Sequence, residues 1–154
     1  MSADITPNRP DEVCFSPGEA ILRKLSGLLG SVRESLDLCL FTISDDRLTR
    51  SILEAHAKGA KVRVITDNDK RHDAGSDIGA IIRAGVPVRA DDGPAHMHHK
   101  FCLFDASCLA TGSYNWTRGA TTNFENLLVT WSPATVGMFS GEFEELWRRM
   151  RRLQ

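Results

Sequence analysis

The chain has 154 residues, 42% hydrophobic and 25% charged, with a formal net charge of −1. That length supports one compact domain with a sizeable core, and the balance excludes disordered, collagen-like and coiled-coil chains. Bulk charge this close to neutral argues against a protein that grips nucleic acid by wholesale phosphate neutralisation, leaving only a local basic site for that purpose.

Taken in chain order, residues 1–11 carry two prolines and no periodicity, and read as a flexible tail ahead of a single domain over 12–154. Glu12 to Ser16 reads as a short strand. Pro17-Gly18-Glu19 then opens a helix with an apolar stripe of Ala20, Leu22, Leu25, Leu28 and Leu29. Leu36 to Thr42 is a buried strand. Ser44-Asp45-Asp46 supplies an N-cap for a helix that ends near Lys58, with Gly59 closing it. Lys61 to Asp67 alternates as a strand and runs into a charged loop over Asn68 to Gly75, with Asp67 to Asp73 as a mobile rim. A helix over Ser76 to Ala84 and a strand over Val86 to Ala90 follow.

The second half changes character. Met97 to Phe104 and Cys108 to Ser113 read as a hairpin turning at Asp105-Ala106-Ser107. Glu125 to Trp131 is a further strand, and Pro133 opens a closing helix to Arg149. The expected fold class is α/β, one mixed sheet with helices on both faces.

No apolar run approaches the ~20 residues that span a bilayer, and the opening residues lack the apolar core of a secretory signal. Cys14, Cys39, Cys102 and Cys108 show no Cys-x-x-Cys spacing. These features lead to an expectation of a reduced, cytoplasmic protein without stable membrane insertion.

The densest chemistry is Ala95-His96-Met97-His98-His99-Lys100, followed by Asp105, by Gly112-Ser113-Tyr114-Asn115-Trp116-Thr117 and by Asn123-Phe124-Glu125-Asn126. Residues two apart on a strand share a face, so His98 and Lys100 point together while Asp105 points the other way. If Asp105 pairs with Cys108, Lys100 faces Ser113 and His98 faces Asn115 across the hairpin; a slip of one residue destroys that juxtaposition. Lys100, Ser113 and Asn115 are donors suited to phosphoryl oxygens. His98 can be a nucleophile or proton carrier, and Glu125 can hold its second ring nitrogen. Together they suggest phosphoryl transfer through a phosphohistidine.

These motifs resemble the active-site signature of the phospholipase D superfamily, in its short single-motif subgroup. Val13-Cys14-Phe15-Ser16-Pro17 and Gly59 to Asp67 are also similar to that subgroup. The resemblance implies a phospholipase D-like fold and a phosphodiester hydrolase with catalytic His98, Lys100, Asn115, Glu125, Ser113 and Asp105. It also implies a homodimer, because family enzymes use two such histidines and this chain holds one complete motif. His98 of one copy would then attack phosphorus and His98 of the other would protonate the leaving oxygen at the two-fold axis.

Other residues have plainer readings. His56-Ala57-Lys58 repeats the His-x-Lys spacing without the rest of the signature, as a cationic helix end. Zinc at His96, His98 and His99 is disfavoured because neighbours on a strand face opposite ways, so no metal or other cofactor is expected. Trp116 either stacks on a substrate base or packs beneath the site. Arg148, Arg149, Arg151 and Arg152 are a solvated helix end or a phosphate contact. Nucleic acid is the leading substrate expectation, so that the enzyme would be an endonuclease. Cardiolipin-like phospholipid is the alternative, and a non-catalytic nucleic-acid-binding module the third class.

Overall fold

The structure is a computed structural model that describes residues 9–154. The expected tail over 1–11 therefore falls mostly outside the described residues. In chain order the elements are β1 (Glu12–Phe15), α1 (Ala20–Gly30), β2 (Ser35–Leu40), β3 (Ile43–Ser44), α2 (Asp46–Ala57), β4 (Lys61–Thr66), α3 (Ile78–Arg83) and β5 (Val88–Ala90). The second half adds β6 (Lys100–Phe104), β7 (Cys108–Gly112), β8 (Trp116–Thr117), β9 (Asn126–Thr130), α4 (Pro133–Arg149) and β10 (Arg151–Arg152).

Eight strands form one mixed sheet in the order β1-β9-β7-β6-β2-β4-β5-β10, while β3 and β8 make a separate parallel pair. The strands β2, β4 and β5 run parallel, as the helices between them require, and the hairpin half is antiparallel. Alternation along β2 explains the two layers. Leu36, Leu38 and Leu40 join α1, α2 and α3 on one face, while Cys39 joins Ile65, Phe101, Leu109, Val136 and Phe143 under α4 on the other.

Local signals set the helix bounds. Asp45 accepts the Arg47 N–H at 3.1 Å to cap α2, and Ser132 caps α4 ahead of Pro133. In α1 the buried stripe is Ile21, Leu22, Leu25 and Leu29; Ala20 is exposed, which corrects the expected face by one position.

The hairpin register is also corrected. Phe104 pairs with Cys108 and Phe101 with Thr111, so the loop has three residues, not two. The cause lies outside the hairpin. Asp105 donates its N–H to the Ser35 carbonyl at 2.8 Å, which commits it to the start of β2 and leaves it unable to pair with Cys108. Asp105 and Ala106 take up left-handed backbone angles, φ 52° and 53°.

Strand polarity positions the site. The carboxyl ends of β2, β4, β5 and β7 and the amino ends of β6 and β9 meet along one edge of the sheet. Gly112, at that edge, is where a side chain cannot fit: a Cβ there would stand 2.1 Å from the Asn126 carbonyl oxygen.

Candidate active site

The segment Met97 to His99 lies outside the sheet, and β6 begins only at Lys100, three residues later than the sequence pattern suggested. The expected pairing of His98 with Lys100 nevertheless holds. Lys100 Nζ donates to the His98 carbonyl at 2.9 Å and lies 3.3 Å from Nδ1 and 3.5 Å from Nε2 of the ring. Phe41, just past β2, supports both groups. Its ring centroid is 4.5 Å from that of His98, edge to face, and 5.3 Å from Lys100 Nζ. The Phe41 N–H donates to the His99 carbonyl at 2.9 Å and ties the two segments together.

Partial burial, and after it the charge of Lys100, hold the His98 pKa below the ordinary histidine value. The neutral, nucleophilic imidazole is thereby favoured. Burial likewise lowers the Lys100 pKa, against an opposing pull from the Glu125 carboxylate.

Glu125 and Ser113 reach the same edge differently from the expected facing. With Phe104 opposite Cys108, the register continued by one residue sets Gly112 opposite Lys100, and Ser113 lies past the end of β7. Ser113 Oγ donates to Glu125 and accepts the Asn126 N–H at 3.1 Å. The Glu125 carboxylate is thus engaged by Ser113, with no hydrogen bond to the His98 ring among the described residues. Asn115 does not face His98 across the hairpin. It shares with Phe41, Thr42, Lys70 and Thr117 a pocket of about 280 Å³, and its Oδ1 is buried with no hydrogen-bond partner in the described residues.

Two expected site residues are not brought to this cluster. Asp105 sits at the far end of β6, roughly 16 Å along the strand at about 3.3 Å per residue. Its carboxylate accepts the N–H groups of Arg33, Glu34 and Ser35 at 2.8 to 3.2 Å. Trp116 is 2% exposed in the helical-side core, which leaves packing, not base stacking, as its place. His56 lies in the last turn of α2, with Nε2 3.1 Å from the Ala84 carbonyl oxygen.

Sequence reasoning misses Phe41 and Asp91 and gives Asp67 only as the start of a mobile rim, which its full burial corrects. Each follows directly on the carboxyl end of a parallel strand, β2, β4 or β5, and the rule that α/β sheets place their sites at such ends could have found them. Asp67 is entirely buried. It lies 3.1 Å from His96 Nδ1 and accepts the Met97 N–H at 3.0 Å, which fixes the segment leading into His98. Asp67, Asp69 and His96 bring ligand-type atoms within 4.8 Å of one another. On this side His96, Met97, His98, His99, Asp91, Leu146 and Met150 line a groove of about 480 Å³.

The far side of the edge carries two exposed aromatic side chains. Ser16 Oγ donates to the Asn123 carbonyl at 2.7 Å and accepts the Glu125 N–H at 3.1 Å, clamping the loop at residue 124 ahead of β9. Phe124 at its tip is 89% exposed and the neighbouring Phe15 65%.

Comparison with known proteins then bears on this geometry. Residues 25–147 match the family described as "Cardiolipin synthase, PLD-like domain". A mitochondrial cardiolipin hydrolase of Chlamydomonas reinhardtii is 46% identical over 134 residues, covering 86% of this chain and 60% of that protein. The Homo sapiens protein of the same name is 44% identical over 133 residues, covering 86% of this chain and 53% of its own length. The chain thus spans between half and two thirds of these relatives. In overall fold it superposes on the phospholipase D family member Nuc from Salmonella typhimurium with a TM-score of 0.87 at 23% identity, covering 94% of this chain and 98% of Nuc. These names overturn the cytoplasmic expectation: relatives at this identity are named mitochondrial, and internal composition carries no address.

Proposed function

The chain belongs to the phospholipase D-like family, and from that premise we propose that it is a phosphodiesterase that works through a covalent phosphohistidine on His98 and takes anionic phospholipid of the cardiolipin type. The observation that carries this reading is the contact of Lys100 Nζ with an exposed His98 imidazole, whose pKa burial and that same lysine lower. A neutral ring nitrogen attacks phosphorus, and the ammonium 3.3 Å away stabilises charge on the non-bridging oxygens as it develops. Asn115 lines the adjoining pocket as a further phosphate ligand, and Ser113 keeps Glu125 close to Lys100. Lysine and imidazole supply the charge stabilisation, so the scheme requires no metal. Phe41 packs the imidazole in place, the task first expected of Glu125.

Two observations support lipid over nucleic acid. Phe124 and Phe15 give the site an apolar rim of the kind an acyl-chain surface favours. Cations around the site are offset by carboxylates: Lys70 by Asp73 at 2.9 Å, Arg47 by Asp45 at 2.8 Å, and Arg118 by Asp46. A groove for a polyanionic strand needs those charges free. The names of the relatives point the same way, and with them to a mitochondrial setting.

The test is an assay in EDTA of wild type and His98→Ala against cardiolipin vesicles, single- and double-stranded DNA, and RNA. Release of phosphatidic acid by wild type alone, with an acid-labile, base-stable phosphoryl adduct trapped on His98, is the expected result. Cleavage of nucleic acid without lipid would overturn the substrate class, and activity retained in His98→Ala would overturn the mechanism.

A further inference from the structure

The pocket that Asn115 shares with Phe41 has no task in the phosphohistidine chemistry beyond that one amide. Its floor is laid by alternation in the parallel β3–β8 pair, where Ile43 lies opposite Trp116 and Ser44 opposite Thr117. Ile43 and Trp116 are buried in the core, which turns Ser44 and Thr117 to the other face. Thr42 and Asn115, two positions earlier on each segment, join them, and all four line the pocket. The loop after β4 supplies the wall with Lys70, Asp73 and Ser76.

The chemistry of these groups narrows what the pocket can hold. The hydroxyls of Thr42, Ser44 and Thr117 form no hydrogen bond among the described residues, unlike that of nearby Thr49, which donates to Asp77 at 2.7 Å. Lys70 Nζ is already paired with Asp73 at 2.9 Å, so the wall offers a donor and an acceptor with no net charge. Asn115 Oδ1 is buried without a partner, an acceptor that a hydroxyl satisfies and a phosphate oxygen does not. An anion finds the lysine taken and a carboxylate beside it. A quaternary ammonium needs several aromatic faces, and this pocket has one ring, Phe41. A hydroxylated group finds donors and acceptors together. The volume, about 280 Å³, stands at the lower end of ligand cavities and suits a small polyol better than an acyl chain.

The pocket also abuts the reacting centre. The Phe41 ring that lines it stands 4.5 Å from the His98 ring and 5.3 Å from Lys100 Nζ. His98 lines the neighbouring groove and not this pocket. In-line displacement at phosphorus sends the leaving oxygen away from the nucleophile, to a side that His98 does not occupy.

We propose that this pocket is the subsite for the leaving alcohol and that it selects a polyol, namely the glycerol that bridges the two phosphates of a cardiolipin-type lipid, through its free hydroxyl. The proposal rests on the phosphohistidine and lipid readings above and deepens them. No bond is made or broken in the pocket; Ser44, Thr117 and Thr42 decide which alcohol is held on the phosphate.

The test uses soluble dihexanoyl phosphatidyl esters that differ only in the leaving alcohol, glycerol against 1-propanol. Wild type is compared with Ser44→Ala and with the double variant Ser44→Ala, Thr117→Val, in which valine keeps the branched shape. Wild type is expected to favour the glycerol ester at least about tenfold in kcat/KM, within the reach of a site that bonds a substrate hydroxyl. Ser44→Ala should lower that ratio about threefold, the worth of one hydrogen bond. The double variant should bring the ratio to within about twofold of one, with Ser44→Ala carrying the test if the double variant melts early. A purely structural role would slow both esters together and leave the ratio standing.

A wild-type ratio near one, or a ratio unchanged in both variants, overturns the proposal. So does a preference for ribo- over deoxyribodinucleotides that these variants lose while no glycerol preference exists, because the hydroxyls would then read a nucleic-acid sugar. His98→Ala separates the readings. Activity retained there defeats the phosphohistidine chemistry, whereas a dead His98→Ala beside equal wild-type rates on both esters defeats the pocket alone. Turnover of neither ester by wild type defeats the lipid reading and the pocket with it.

Discussion

The two ends of β6 carry parts of one sequence motif and do unrelated work. At the amino end an exposed His98 and a half-buried Lys100 stand on Phe41, in contact with each other. At the carboxyl end Asp105 accepts three backbone N–H groups of the turn before β2 and so pins the hairpin to the parallel half of the sheet. A histidine, a lysine and an aspartate at fixed spacing look like one constellation, but a strand of five residues separates them by its own length. Spacing in sequence reports the length of the element between two groups, and a shared task follows only when a turn brings them back together.

The most drastic way to test that contrast is at His98. His98→Ala should lower kcat on the order of 10⁴-fold or more, as loss of a covalent nucleophile does, with an unchanged melting temperature. Phosphodiester turnover against thermal unfolding measures both. Lys100→Gln comes next: loss of one preorganised cation should cost roughly 10²- to 10³-fold in kcat. At the other end the signs reverse. Asp105→Ala leaves three turn N–H groups short of their acceptor and should cost about 3 kcal/mol of stability, read by urea titration, while kcat/KM of the folded fraction stays within about twofold. Activity loss there without destabilisation would restore Asp105 to the site.

What the sequence made legible follows the range of the interaction. The α4 bounds are written locally by Ser132 and Pro133, and those of α2 by Asp45. The layer order follows from alternation in β2. His98 and Lys100 could be paired because they lie two positions apart. The hairpin register could not be read, because Asp105 is taken by Ser35, 70 residues away. Asp67 and His96 lie 29 residues apart on separate loops, and only the parallel sheet joins them. Trp116 could be read either way until the β3–β8 pair buried it.

Acid treatment offers the finest comparison of the two ends, because each titrates on its own. The His98 pKa is depressed, first by burial and then by Lys100, so the neutral nucleophile persists below the ordinary histidine range and kcat/KM falls as pH drops through that lowered value. Lys100→Gln removes the second cause and leaves the first. The acid limb of its residual activity should therefore move to higher pH while staying below the ordinary histidine value. For Asp105, burial alone would raise the pKa, but the N–H groups of Glu34, Ser35 and Arg33 outweigh it and leave it lowered. A depressed carboxylate contributes stability that is complete above its unfolded pKa and is lost as pH falls through the folded one. The two titrations separate on the pH axis: turnover should fail first, in the histidine range, with the Asp105 contribution to the melting temperature intact until the carboxylate range. Asp105→Asn should flatten that second decline and leave the first where it is. If both limbs moved together in either variant, the two ends of β6 would be one site after all.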